Sequence, residues 1–92
     1  MAICDIVISK RFQRDLRLSY KRGCNIPKLK MIIQRLASGE ELPPRCRDHE
    51  LSRRYKAFRE CHIEPDWILV YRLERGKRML YLLRHGTHDD IF

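Results

Sequence analysis

Three short stretches in the second half of the chain hold side chains suited to acid–base chemistry. The segment HIEPDW places His62, Asp66 and Trp67 close together, RDHEL carries His49, and RHGTHDDIF carries further polar groups at its start and middle, Arg84 and His88. Histidine transfers protons near neutral pH because its ordinary pKa is about 6.5. Arginine presents paired N–H donors that match phosphoryl oxygens. Cleavage of a phosphodiester in RNA is a reaction that fits this set of side chains.

In that reaction a general base removes the proton from a ribose 2′-hydroxyl, which then attacks the adjacent phosphate. A cation stabilises the extra negative charge, and a general acid protonates the departing 5′-oxygen. Aromatic rings can stack on the unpaired bases of single-stranded RNA; the candidates are Trp67, Tyr71, Tyr81 and Phe92. The residues alone leave two alternatives open, a nucleic-acid-binding module and a protein-binding module.

The cysteines do not predict a metal centre. The chain has 4 of them, and none forms a C-x-x-C pair. Cys46 with His49, and Cys61 with His62, could supply zinc ligands, but neighbours on a strand point to opposite faces. We therefore expect no metal and no cofactor, with the thiols acting as small apolar packers or surface groups.

The charge is strongly basic. There are 20 Lys and Arg against 12 Asp and Glu, giving +8, and the segment from Lys10 to Arg35 contains one acid, Asp15. Such a field attracts polyanions, namely nucleic acid, an anionic membrane surface or an acidic protein segment, although a solvated helix face has the same composition. No apolar run approaches the roughly 20 residues that span a bilayer. The N-terminal stretch MAICDIVISKR is apolar for a few residues and then basic, the reverse of the order in a secretory signal. We therefore expect a cytoplasmic protein with no membrane partner.

The first half of the chain predicts a strand and two helices. CDIVIS is rich in β-branched residues and predicts a strand from Cys4 to about Ile8. Ser9 can cap a helix with Phe12, Leu16 and Tyr20 on one side, ended by Gly23. Asn25 can cap a second helix, ended by Gly39, whose apolar side is Leu29, Ile32, Ile33 and Leu36. Residues 40–55 show no periodicity and predict an exposed loop.

The second half predicts three strands. The runs AFRECHIE, WILVYRLE and RMLYLLRH are separated by short turns at Pro65-Asp66 and Arg75-Gly76, so they should be antiparallel, with the second and third at the centre. The order is β-α-α-β-β-β, an α+β fold with a helix hairpin on a small twisted antiparallel sheet, in one domain covering residues 1–92. In such a sheet Asp66, Arg84 and His88 can be neighbours.

The sequence also resembles a known family. HIEPDWILVYRL followed by LLRHGTHDDIF, with RDHEL upstream, is similar to the YafQ-type toxins of the RelE/ParE superfamily of bacterial toxin–antitoxin systems. The similarity covers most of the chain, and the H-x-x-P-D-W and R-x-G-x-H motifs are its most specific parts. The N-terminal third matches mainly in pattern. His85 stands where such toxins often carry a small or polar residue.

The resemblance implies an mRNA interferase, an endoribonuclease that enters the ribosomal A site and cuts translated mRNA without metal. It implies a cognate antitoxin as partner, and operator DNA as the target of the toxin–antitoxin complex. It gives Arg84 the role of stabilising the phosphate. Acid–base and orienting roles would be shared by four residues, His49, His62, Asp66 and His88. Trp67 and Phe92 would hold bases, while Arg59 and Glu60 are expected to be structural charges.

Two alternatives to the nuclease remain at this point. A ParE-like inhibitor of DNA gyrase would share the fold and act by binding, without any need for histidines. A non-catalytic RNA-binding or ribosome-associated domain would bind in a salt-dependent way that survives loss of any one histidine.

Overall fold

A computed structural model describes residues 4–52 and 55–92. Two long helices follow the first strand, and a short third helix follows the last strand. The elements in order are β1 (Asp5–Ile8), α1 (Lys10–Lys21), α2 (Ile26–Ala37), a 3₁₀ turn (Pro44–Cys46), β2 (His49–Glu50), β3 (Arg59–Glu64), β4 (Trp67–Glu74), β5 (Met79–Gly86) and α3 (His88–Ile91). The α+β class predicted from the sequence is confirmed.

Both long helices begin at the predicted caps. The Ser9 hydroxyl accepts from the backbone N–H of Phe12, and the Asn25 side chain accepts from that of Lys28. The predicted apolar side of α1 is wrong in part, because Tyr20 is 64% exposed. The helix instead buries Phe12, Asp15 and Ser19. The spacing of apolar residues could not predict this buried side, because two of its three residues, Asp15 and Ser19, are polar.

The five strands form one sheet in the order β1-β5-β4-β3-β2. Strands β2 to β5 are antiparallel to their neighbours, whereas β1 pairs with β5 in parallel. The sheet is therefore mixed, not wholly antiparallel as predicted. The long connection from β1 to β5 explains the difference, because a parallel pair needs a crossover rather than a tight turn.

One hydrophobic core lies between the sheet and the helices. Phe12 of α1 and Leu29 of α2 belong to the same buried cluster as Cys61, Leu69 and Tyr71 of the sheet. Strand β4 is central, as predicted, and its residues Trp67 to Tyr71 are all buried. We call the side of the sheet that faces this core the inner face, and the opposite side the outer face.

Strand β5 contains a bulge that changes which residues face the core. Tyr71 of β4 lies opposite Leu82, but the next residue, Val70, lies opposite Arg84, so Leu83 is extra. Regular alternation from the buried Leu82 would turn Arg84 inward. The bulge instead places Arg84 on the outer face with Val70, and His85 on the inner face with Leu69.

The segment from residue 40 to residue 55 is more ordered than expected. Within its described part, Cys46 of the 3₁₀ turn is buried, and His49 and Glu50 pair with β3 as strand β2. Arg53 and Arg54 of the predicted loop lie outside the described residues. In the parts of the chain that the structure describes, no helix is long and apolar enough to cross a membrane.

Candidate active site

One row of paired residues crosses four strands on the outer face. His49 of β2 pairs with Glu60 of β3, Glu60 pairs with Val70 of β4, and Val70 pairs with Arg84 of β5. Directly opposed residues in antiparallel strands project to the same face. Strand register alone thus brings His49 and Arg84, far apart in sequence, to one surface with Glu60 between them.

Glu60 is the centre of this surface. Its side chain is only 7% exposed, and its Oε2 lies 2.9 Å from His49 Nε2 while its Oε1 lies 3.3 Å from His88 Nε2. A buried carboxylate is stable only with donors around it. Glu60 therefore joins two of the predicted histidines. The sequence analysis expected Glu60 to be only a structural charge and did not place it in the site.

His88 lies between two acids. While Nε2 faces Glu60, its Nδ1 is 3.6 Å from an Oδ of Asp66. The His62 ring is close by, with its centroid 5.8 Å from that of His88. His49, His62, Asp66 and His88, four of the predicted site residues, are thereby brought into one cluster around Glu60.

Backbone carbonyls orient two of the imidazoles. His62 Nδ1 lies 3.1 Å from the Pro65 carbonyl oxygen, and His49 Nδ1 lies 2.6 Å from that of Arg47. A carbonyl can only accept, so each Nδ1 carries the proton and donates. In neutral His62 this leaves the Nε2 lone pair free to accept a proton from another group.

Arg84 is held by an acid of α1. Its Nε and Nη2 donate to the two carboxylate oxygens of Asp15 at 3.2 and 2.9 Å, and the backbone N–H of His85 donates to Asp15 as well, at 3.1 Å. The hydrogen bonds to Asp15 raise the pKa of Arg84 above its ordinary value. Arg84 lies two strands, about 10 Å, from Glu60, and its Nη1 makes no hydrogen bond to a described residue.

Trp67 occupies a different position from the predicted one. Its side chain belongs to the hydrophobic core and is 6% exposed, so the indole has no free face for a base. Its Nε1 donates to Nδ1 of the buried His85 at 3.2 Å. The prediction that Trp67 binds substrate by stacking therefore does not fit, and its contacts are those of a packing residue.

Phe92, in contrast, is available to a ligand. It is 54% exposed, its ring meets Tyr55 edge to face at 5.4 Å, and it lies 6.3 Å from the His88 ring. Tyr55 was not among the predicted site residues, because nothing in its local sequence sets it apart. Together the two rings form an aromatic edge beside the histidines.

The cluster also has the donor set of a metal site. Ligand atoms of Glu60, His62 and His88 all lie within 4.8 Å of one another. Imidazole nitrogen with carboxylate oxygen suits zinc and copper. The cysteines contribute nothing to it, since Cys46 and Cys61 are buried in the core.

The chain is similar to known proteins over almost its whole length. Residues 4–92 match a family model described as a bacterial toxin of a type II toxin–antitoxin system, YafQ. The mRNA interferase toxin YafQ of Escherichia coli BL21-DE3 is 38% identical over 96% of this chain and 95% of its own.

Two solved structures are similar throughout. YafQ in the E. coli DinJ–YafQ toxin–antitoxin complex has a TM-score of 0.88 and 37% identity, covering 97% of both chains. A metal-bound toxin from Helicobacter pylori has a TM-score of 0.91 and 37% identity, covering 98% of this chain and 100% of its own.

The fold and these matches define a toxin of a type II toxin–antitoxin system. Within that class, the chain belongs to the YafQ family. Curated relatives in this family are named mRNA interferases, which are endoribonucleases. This placement favours the nuclease over the ParE-like inhibitor and over a non-catalytic RNA-binding domain.

Proposed function

We propose that the protein cleaves mRNA in the A site of translating ribosomes and so halts translation. The observation that carries the proposal is the cluster of three imidazoles and two carboxylates, in which Glu60 joins His49 to His88 and Asp66 approaches His88. Inhibition by binding alone does not require such an arrangement. The names of the relatives support the same reading.

The chemistry we propose is attack by the ribose 2′-hydroxyl. His62, whose Nδ1 donates to Pro65, accepts the 2′-hydroxyl proton at Nε2. The 2′-oxygen forms a bond to phosphorus, and the bond from phosphorus to the 5′-oxygen breaks. His88 donates its Nδ1 proton to that oxygen, which leaves a 2′,3′-cyclic phosphate and a 5′-hydroxyl.

Other groups support these two steps. Glu60 fixes the rings of His49 and His88, and Asp66 faces the proton that His88 donates. Arg84 offers its Nη1 protons to the phosphoryl oxygens while Asp15 holds the other side of its guanidinium. Phe92 supplies a ring for a base. The acids and imidazoles are coupled, so measured pH profiles describe the cluster rather than single residues.

The partners follow from the same proposal. The positive charge of the protein attracts it to the phosphates of ribosomal RNA, and an antitoxin protein holds the toxin inactive. The toxin–antitoxin complex of DinJ with YafQ supports an antitoxin partner. The toxin–antitoxin complex binds its operator DNA.

Cleavage of mRNA on programmed ribosomes tests the proposal. We expect 2′,3′-cyclic phosphate ends, unchanged in EDTA, and a loss of rate of at least about 100-fold for His62→Gln or His88→Gln. Added Zn²⁺ should inhibit, because an ion bound to Glu60, His62 and His88 occupies the lone pairs that proton transfer uses.

Cosedimentation with ribosomes is the control, and both variants should bind as the wild type does. Growth arrest with intact mRNA, or full activity in both histidine variants, would contradict the proposal.

A further inference from the structure

Helix α3 brings two candidate site residues into place but is very short. It spans His88–Ile91, 4 residues, and carries His88 at its start while Phe92 follows its end. Isolated helices of this length are unstable in water. The position of His88 against Glu60 and Asp66 must therefore depend on contacts that α3 makes with the rest of the protein.

Asp90 makes several of these contacts. One carboxylate oxygen accepts from the Thr87 backbone N–H at 2.9 Å, and the Thr87 hydroxyl accepts from the Asp90 N–H at 3.1 Å. The same carboxylate accepts from Arg22 at 2.7 and 3.2 Å. Arg22 caps the C-terminal end of α1. Asp90 thus closes α3 on itself and ties it to α1.

The backbone at Gly86 leaves room for this arrangement. Gly86 has φ +156°, and a Cβ placed there would lie 2.8 Å from an Asp90 carboxylate oxygen. A side chain at this position would push the carboxylate away. The hydrogen bonds from Arg22 lower the pKa of Asp90 well below its ordinary range, so the carboxylate is ionised at any physiological pH.

We propose that Arg22 and Asp90 are positioning residues that hold α3 so that His88 faces Glu60 and Asp66. This inference rests on the proposed nuclease function. Neither residue is in the histidine cluster, and both act on it through α3. The opposite charges of the two residues distinguish positioning from direct binding of RNA. In direct binding Arg22 would attract phosphate and Asp90 would repel it, so their loss would have opposite effects, whereas loss of either positioning residue would have the same effect.

Steady-state cleavage by the full chain tests the proposal through Arg22→Ala, Arg22→Lys and Asp90→Asn. Asparagine keeps an oxygen for the Thr87 N–H and removes the charge. We expect kcat to fall about tenfold to a hundredfold in Arg22→Ala and in Asp90→Asn, since a misplaced catalytic group costs about that much. KM should not change, because His88 acts in the transition state. Lysine should restore part of kcat, and the double variant should be no worse than either single variant.

A second measurement reads α3 directly. NMR order parameters for residues 88–92 should fall below about 0.6 in Arg22→Ala, while those of β4 stay near 0.85.

Arg72→Ala is a matched control for both measurements. Arg72 and Glu74 form an ion pair at 2.6 Å with side-chain exposures of 43% and 20%, against 2.7 Å, 44% and 22% for Arg22 and Asp90. The control pair lies on β4, away from α3. Its loss should leave kcat and the order of α3 unchanged.

Two outcomes would overturn the inference. A KM that rises in Arg22→Ala and falls in Asp90→Asn would show that Arg22 binds RNA phosphate directly. An α3 that stays ordered in Arg22→Ala would show that other contacts suffice. Failure of the wild type to cleave mRNA would refute the proposed function instead, and the NMR comparison does not depend on cleavage.

Discussion

At the scale of single residues, burial between two imidazoles distinguishes Glu60 from another glutamate of the sheet. Glu60 and Glu50 lie on neighbouring strands, yet the Glu60 side chain is 7% exposed between two imidazoles and that of Glu50 is 81% exposed. Sequence reasoning found the histidines, because the chemistry of the imidazole singles them out. It missed Glu60, because a glutamate on a strand carries no sign of the partners across the sheet.

Glu60→Gln tests this role of the buried acid. Glutamine has the same shape but no charge, and one of its two terminal atoms is a donor that cannot accept from His49 or His88. We expect kcat to fall about tenfold to a hundredfold with ribosome binding retained. Glu50→Gln, on the exposed neighbour, should behave as wild type. Equal activity of the two variants in the cleavage assay would assign Glu60 a structural role only.

At the scale of elements, the contact between α1 and β5 is polar at its centre. Asp15 accepts from Arg84 twice and from the His85 backbone, inside an interface that also contains the Phe12 ring against His85. The two helices, the three long strands and the central place of β4 could be predicted from periodicity and caps. The bulge at Leu83 could not, since alternation from Leu82 predicts Arg84 on the inner face.

Asp15→Asn should therefore weaken both the fold and the site. Asparagine offers one oxygen to a set of three donors, and the partly buried guanidinium of Arg84 loses its ion pair. We expect the free energy of unfolding to fall by about 1–3 kcal/mol and cleavage to fall with it. Urea denaturation measures the first effect. Lys28→Ala, which removes an exposed ion pair with Glu64, should change stability by no more than about 0.5 kcal/mol, and a similar loss in both variants would contradict the assignment.

At the scale of the whole molecule, one neutral histidine links folding to pH. His85 is buried against Phe12 and Trp67, and its Nδ1 accepts from the indole, so Nε2 carries the proton without a partner among the described residues. Burial lowers the pKa of His85 from 6.5 to about 4, with Asp15 opposing the shift and Arg84 adding to it. Between pH 6.5 and about 4, the imidazole of His85 therefore binds a proton in the unfolded chain but not in the folded chain.

Stability should consequently fall as the pH drops from 6.5 toward 4. The unfolded state takes up a proton at His85 in that window, which removes roughly 2 kcal/mol between pH 6.5 and 4.5. Urea unfolding at several pH values gives the slope, and His85→Gln should show a smaller slope because it has no proton to bind. Parallel slopes for wild type and variant would mean that other groups cause the dependence.

The bulge in β5 also has a genetic consequence. Loss of the single codon for Leu83 would remove the extra residue, so that Arg84 would follow Leu82 directly and still lie opposite Val70. The guanidinium would then stay on the outer face, and the imidazole of His85 would stay turned toward the core. We expect an in-frame deletion of Leu83 to leave growth arrest by the toxin intact, whereas loss of a histidine of the cluster abolishes it.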